Sequence, residues 1–371
     1  MDVPFYTSTR EYLQHKNEFD TAVQDVMERG DFILGKDVKE FENLAVQHCG
    51  CAYAAGVASG TDALVLGSDI LGFKDSEVLT PVFTFFASVS CIVRVGGKPV
   101  FVDIDEQTLT INLKDAEKRI TKKTKGIIPV HLFLQAADMQ AVMDLARLYD
   151  VTVLEDAAEA WGMECFVDNI WKKAGTVGAI GIFSFFPTKT LGAYGDAGLM
   201  VTNDEQLYQK IKSYRVHGAG KKYFHDYIGY NSRIDTIQAA ILKVKLNYIE
   251  KSMQLREKHA MHYIERLSHA QEIVFPGVLL GNKPVYYVFN ILVPKRDELV
   301  AYLREHGIQT SIYYPLPMHM QKCFQYLGYK KGDFPVAEKV SQEIVALPMF
   351  AELTDDEVDY VCDTIISFYR R

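Results

Sequence analysis

The stretch IFSFFPTKTLGAYGDAG, residues 182–198, completes an apolar run that begins at Ile180 and ends at Phe186. An unbroken run of this kind predicts a strand buried on both faces, as in a sheet covered by helices. Pro187 and Thr188 stop it and set a single lysine, Lys189, just beyond the strand. Gly192, Gly195 and Gly198 follow at intervals of three, which lets the backbone come close to a ligand. A lysine at the mouth of an apolar sheet is expected to be desolvated, so that its neutral amine is accessible and can attack a carbonyl. An arbitrary lysine more often caps a strand or snorkels to water, and the rest of the chain decides between the two.

Upstream, VTVLED at 151–156 is a β-rich run ending in two carboxylates, followed by Ala157 and Ala158. An acid at the carboxyl end of a parallel strand sits where open α/β sheets bind ligands. Earlier still, AGVASGTDALVLG at 55–67 passes from a short strand through Ser59, Gly60 and Thr61 into a helical pattern. Taken alone that turn is an ordinary N-cap. Its open amides and the helix dipole nonetheless suit a phosphate. Anion cradle, acid and lysine, each after a strand, describe a site for pyridoxal phosphate, whose ring nitrogen needs a carboxylate and whose aldehyde needs an amine.

Working outward, Phe19, Val23, Val26 and Met27 predict a helix over 14–30 closed by Gly30, and Val38, Phe41, Leu44 and Ala45 a second. From Tyr53 onward, β-rich runs at 77–80, 99–102, 126–130 and 151–154 alternate with helical patterns near 61–71, 85–94, 113–119 and 138–149. That alternation is the sequence form of right-handed βαβ crossovers, so the fold class is α/β with a mostly parallel central sheet covered by helices. After Lys189 come a strand at 199–202, a helix at 205–216 and one long helix from Thr236 to about His269. Residues 1–249 are expected to form the large domain and 250–371 a smaller α/β domain. The latter should carry strands at 286–293 and 309–314 and helices at 296–306, 336–345 and 355–369.

The segments SGTDAL (59–64), TPVFTFFAS (80–88), EDAAEAWG (155–162), FSFFPTKTLGAYGDAG (183–198), RVHG (215–218), GYNSRIDTIQAAIL (229–242), YYPLPMH (313–319) and FPVAE (334–338) carry a further signal. Together they resemble the nucleotide-sugar aminotransferases of the DegT/StrS family, fold-type I pyridoxal phosphate enzymes, from about Val3 to the C-terminus. The resemblance implies that Lys189 holds the cofactor and moves a proton, that Asp156 faces the pyridine nitrogen and that Phe85 stacks on the ring. It implies that Gly60, Thr61 and Ser184 hold the phosphate. Asn231 and Arg233 match a family loop that reaches into the neighbouring subunit, Asn231 towards the cofactor and Arg233 towards the substrate, which implies a homodimer with shared active sites. His217, Tyr223, Tyr313 and His319 match positions on the sugar side.

Three residues depart from the family pattern. Glu159 stands near the ring hydroxyl where glutamine or histidine is usual; a carboxylate beside a phenolate repels it, so Glu159 is expected to be protonated or turned away. Leu134 replaces a common glycine and Trp161 a smaller or imidazole side chain, and both are expected to shape the sugar pocket.

The resemblance further implies amino transfer from L-glutamate to a keto carbon of a dTDP- or UDP-linked sugar, the cofactor alternating between pyridoxal and pyridoxamine 5'-phosphate. Residues 215–242 look closer to members acting on 3-keto than on 4-keto sugars, and the retained lysine argues against the dehydratase branch. A keto-cyclitol aminotransferase and a cofactor-binding sensor without turnover are the alternatives.

Composition agrees with a globular enzyme: 371 residues, 48% hydrophobic, with 40 basic against 48 acidic residues and a net charge of −8. The absence of a long single-sign block argues against a nucleic-acid partner. Neither a signal pattern nor an apolar run of bilayer length is visible, so a cytoplasmic protein off the membrane is expected. The six cysteines read as reduced thiols and no metal is expected; His259 and His262 read as surface residues.

Overall fold

The computed structural model describes all 371 residues. Its central sheet takes strands β1 (Tyr53–Val57), β2 (Glu77–Pro81), β3 (Lys98–Val102), β4 (Thr124–Ile127) and β5 (Thr152–Asp156). After a hairpin of β6 (Glu164–Val167) and β7 (Ile170–Lys173), it adds β8 (Ile180–Ser184) and β9 (Gly198–Thr202). The order across the sheet is β1-β9-β8-β5-β4-β2-β3. From β8 to β3 all neighbours are parallel, and only β9 runs against both of its neighbours. The mostly parallel α/β fold expected from the alternation is thus observed. β9 reverses because a loop carrying Lys189, rather than a crossover helix, joins it to β8.

Alternate residues of each strand feed opposite cores. Val153, Phe183, Leu199 and Val201 pack on one face with Val38 and Phe41 of the helix Lys36–Cys49. Leu154, Ile180, Ile182 and Met200 pack on the other with Leu64 and Leu66 of the helix Gly60–Ile70. Each such side chain contributes roughly 1.5–3 kcal/mol of burial, which is why these strands read as unbroken apolar runs.

Beyond the sheet, β10 (Ala219–Lys221) and β11 (Phe224–His225) form an exposed hairpin, and β12 (Asn282–Lys283) pairs with β6. The antiparallel pair β13 (Phe289–Leu292) and β14 (Ile344–Leu347) packs with helices Ile249–Leu267, Arg296–Glu305 and Asp355–Tyr369 around Tyr263, Ile291, Leu303 and Val361. Val3 joins that core and bridges Ile308, so the N-terminal segment closes over the C-terminal part. A cluster containing Phe83, Phe101, Leu132, Tyr287 and Phe334 draws on both parts and holds them together.

Several expectations are corrected. The long helix divides into Thr236–Leu246 and Ile249–Leu267, where Tyr248 leaves helical geometry (φ −116°) and stacks on His15 at 3.7 Å. Residues 309–314 are not a strand: only Ser311 bridges Ala346, and Tyr313 and Tyr314 turn towards a cavity. The helix expected over 336–345 ends at Glu343, and its last residues begin β14. His259 is buried, not on the surface, and bonds the Ala351 carbonyl at 3.1 Å.

Candidate active site

A cavity of about 420 Å³ opens at the carboxyl ends of β5 and β8, the place where open α/β sheets take ligands. The end of β5 brings Asp156 to it and the end of β8 brings Ser184. The following loop brings Lys189, and the helix Gly60–Ile70 presents its first turn.

Lys189 Nζ lies 3.1 Å from Glu159 Oε1 and 4.3 Å from the centre of the Tyr287 ring. Burial works to strip its proton, but the Glu159 carboxylate, with Tyr287 and Asp156, outweighs burial and holds the amine above the ordinary lysine range. This corrects the expectation of an accessible neutral amine: the lysine is desolvated, but an anion faces it. Glu159 turns into the cavity, where Oε2 accepts the Phe133 amide at 2.8 Å and Oε1 accepts Lys189, with Tyr314 Oη 3.5 Å from the same oxygen.

Asp156 is buried, with Oδ2 accepting Ser88 Oγ at 2.6 Å and Oδ1 accepting the Ala158 amide at 3.1 Å. Ser88 in turn lies 2.9 Å from Thr84 Oγ1. Burial raises the Asp156 carboxyl above its usual range, against Ser88, the Ala158 amide and Lys189, which all favour the charge. A carboxyl in that condition gains most from a cation brought against it, which suits a protonated pyridine nitrogen.

At the other end, Ser59 caps its helix by accepting the Asp62 amide at 3.1 Å. The amides of Gly60 and Thr61, in the first turn, have no partner within the helix. A Cβ on residue 60 would stand 2.7 Å from Ser184 Cβ and 3.1 Å from its Oγ, so glycine is what lets the helix start approach β8. Amides, dipole and the Ser184 hydroxyl make an anion cradle. With Phe85 half-exposed on the lining, 6.2 Å from the Tyr314 ring, the residues present fit pyridoxal phosphate.

Residues 13–366 match the DegT/DnrJ/EryC1/StrS aminotransferase family. The chain belongs to that family. It is a fold-type I aminotransferase, and its cofactor is pyridoxal 5'-phosphate. The chain is 43% identical over 373 residues to a pleiotropic regulatory protein of Geobacillus stearothermophilus, covering 100% of this chain and 99% of that one. It is 36% identical over 364 residues to the UDP-N-acetyl-3-dehydro-alpha-D-glucosamine 3-aminotransferase of Acidithiobacillus ferrooxidans, covering 98% and 97%. Among solved structures, DesV of S. venezuelae in complex with a ketimine intermediate superimposes with a TM-score of 0.96 at 32% identity, covering 100% and 99%.

Of the residues singled out in the sequence of this DegT-family chain, Gly60, Thr61, Phe85 and Asp156 line the cavity, as do Glu159, Ser184, Lys189 and Tyr313. His217, Tyr223, Asn231 and Arg233 do not. They lie on or beside the β10–β11 hairpin, where Asn231 bridges Val216 and Tyr223 is 80% exposed. His319 is also absent from the lining, being buried 3.0 Å from Glu338. Leu134 and Trp161 belong to hydrophobic cores, Trp161 against Phe183 and Phe185, and neither lines the cavity.

Sequence reasoning missed Ser88, Tyr287 and Tyr314. Ser88 was within reach, four residues beyond Thr84 in a quoted motif. Tyr287, whose hydroxyl is 3.1 Å from Thr188 Oγ1, comes from 99 residues away and leaves no local trace.

Proposed function

We propose that the protein transfers an amino group to a keto carbon of a UDP- or dTDP-linked sugar, with L-glutamate as donor and the 3-keto position preferred. The observation that carries this reading is the convergence of Lys189, Asp156 and the Gly60 cradle on one cavity. The name of the Acidithiobacillus relative supports the substrate class and the 3-keto position.

Pyridoxal phosphate, when bound, supplies an aldehyde that amines capture and a ring that draws electrons from the carbon being deprotonated. The Gly60 and Thr61 amides and Ser184 Oγ hold its phosphate, Asp156 holds the proton of its ring nitrogen, and Phe85 covers one ring face. With the cofactor bound, Lys189 would move the proton, taking it at Nζ as base and returning it as acid. Tyr313 meets the sugar. His217, Tyr223, Asn231 and Arg233 serve the site of a second copy in a homodimer. Their hairpin supports this by exposing Phe224 at 66% and the nearby Ile228 at 96%, apolar surface of the kind a partner covers. His319, engaged with Glu338, is left out. No helix is long and apolar enough to cross a membrane, and the reaction is assigned to the cytoplasm.

Borohydride reduction and peptide mapping should place a pyridoxyl label on Lys189, and a label elsewhere overturns the site. A panel of UDP- and dTDP-linked keto sugars with glutamate should yield an amino sugar and 2-oxoglutarate; no product with any of them favours the keto-cyclitol reading. The name of the Geobacillus relative favours a second reading, cofactor binding without turnover. In that case Lys189 is labelled but no keto sugar or cyclitol is aminated.

A further inference from the structure

We propose that Glu159 sets the charge of Lys189: its fixed carboxylate keeps Nζ an ammonium in the free protein and keeps that nitrogen protonated once it has joined the cofactor's carbonyl carbon. The second half of this rests on the reading of Lys189 as the residue that takes the carbonyl. The first half needs no cofactor.

The geometry is that of a counter-ion built into the backbone. Glu159 Oε2 is pinned by the Phe133 amide at 2.8 Å. Phe133 is itself buried and held at φ 64°, a left-handed conformation that costs a bulky residue energy and persists only where its surroundings demand it. With one oxygen pinned, the other stays aimed at Lys189 Nζ, 3.1 Å away. The groups facing Lys189 come from four elements. Asp156 ends β5 and Glu159 follows it, Tyr287 precedes β13, Tyr313 and Tyr314 come from the irregular segment before Pro315, and Thr188 is its own neighbour. None is cationic, so Lys189 is the one positive side chain on a cavity lined by the carboxyls of Asp156, Glu159 and Asp196. Burial opposes its charge, and Glu159 is the only carboxylate in contact with it.

An ammonium does not react with an acylating reagent, so labelling of Lys189 reports its charge directly. Protein stripped of cofactor would be treated with acetic anhydride across a pH series and Lys189 acetylation measured by peptide mass spectrometry. In the unaltered chain Lys189 should resist acetylation well beyond the pH at which exposed lysines react. Glu159→Gln keeps the size of the side chain and an oxygen for the Phe133 amide but removes the charge. It should lower the labelling midpoint by about 1–3 pH units, the effect of an opposite charge at this range. Glu159→Asp keeps the charge one methylene further off and should lower it by less. In the reconstituted protein without substrate, the pH midpoint of the visible absorption band should fall in the same order. Equal labelling midpoints in the unaltered chain and in Glu159→Gln overturn the proposal; should that variant not fold, Glu159→Ala, which also removes the charge, is read in the same way. A borohydride label away from Lys189 would sink the cofactor reading while leaving the acetylation result standing.

Discussion

Glu155 and Glu159 come from one short segment, EDAAEAWG, and end in opposite conditions. Glu155 lies fully buried on the far side of β5, where it accepts His131 Nε2 at 2.9 Å and the amides of Gly175 at 2.8 Å, Val177 at 2.6 Å and Gly178. His131 accepts the Ala137 amide through Nδ1 at 3.1 Å, which leaves Nε2 as the donor. Four donors on two oxygens leave Glu155 nothing to offer a ligand. Glu159 instead divides its oxygens between one backbone amide and a lysine at an open cavity. A buried carboxylate saturated by fixed donors is architecture; one balanced by a side chain that can move away is available for chemistry.

The contrast can be broken from either side. Lys189→Ala should have the largest effect, lowering turnover by about 10³-fold or more in an amino-sugar assay while the far-ultraviolet dichroism is unchanged. Asp156→Asn keeps the shape and removes the charge. Turnover should fall by about 10²-fold, with weaker retention of pyridoxal phosphate in equilibrium dialysis. Glu155→Gln attacks the architectural side, because an amide has one oxygen for four donors. Urea unfolding should show a loss of about 1–3 kcal/mol with turnover per folded molecule preserved; a loss of turnover without a loss of stability would erase the distinction. Tyr6→Phe should be mildest. It removes the bond from Tyr6 Oη to the Pro187 carbonyl at 2.5 Å, which ties the N-terminal segment to the loop carrying Lys189. The stability cost should be about 0.5–1.5 kcal/mol, and turnover should fall by a smaller factor than in either cavity variant.

What the residues determined by themselves is the set of local patterns. The unbroken apolar runs named the buried strands, because a strand feeding two cores has no polar face to show. Ser59-Gly60-Thr61, Asp156 and Lys189 were legible as cradle, acid and amine because each sits at a strand end, where chain order alone fixes its neighbourhood. Alternation along β5 also sends Glu155 and Asp156 to opposite faces. It does not say what each will meet there.

Only the tertiary structure decided that. Glu159 faces Lys189 because Phe133, from the loop after β4, pins it; Tyr287 and Tyr314 reach the same nitrogen's surroundings from the C-terminal part; His319 is taken up by Glu338 and never arrives. The end of the helix at Glu343 belongs here too, since Ile344–Leu347 became β14 by pairing with β13. Such contacts join residues distant along the chain, and their energies depend on packing distances and desolvation that come into being only when the parts close on one another.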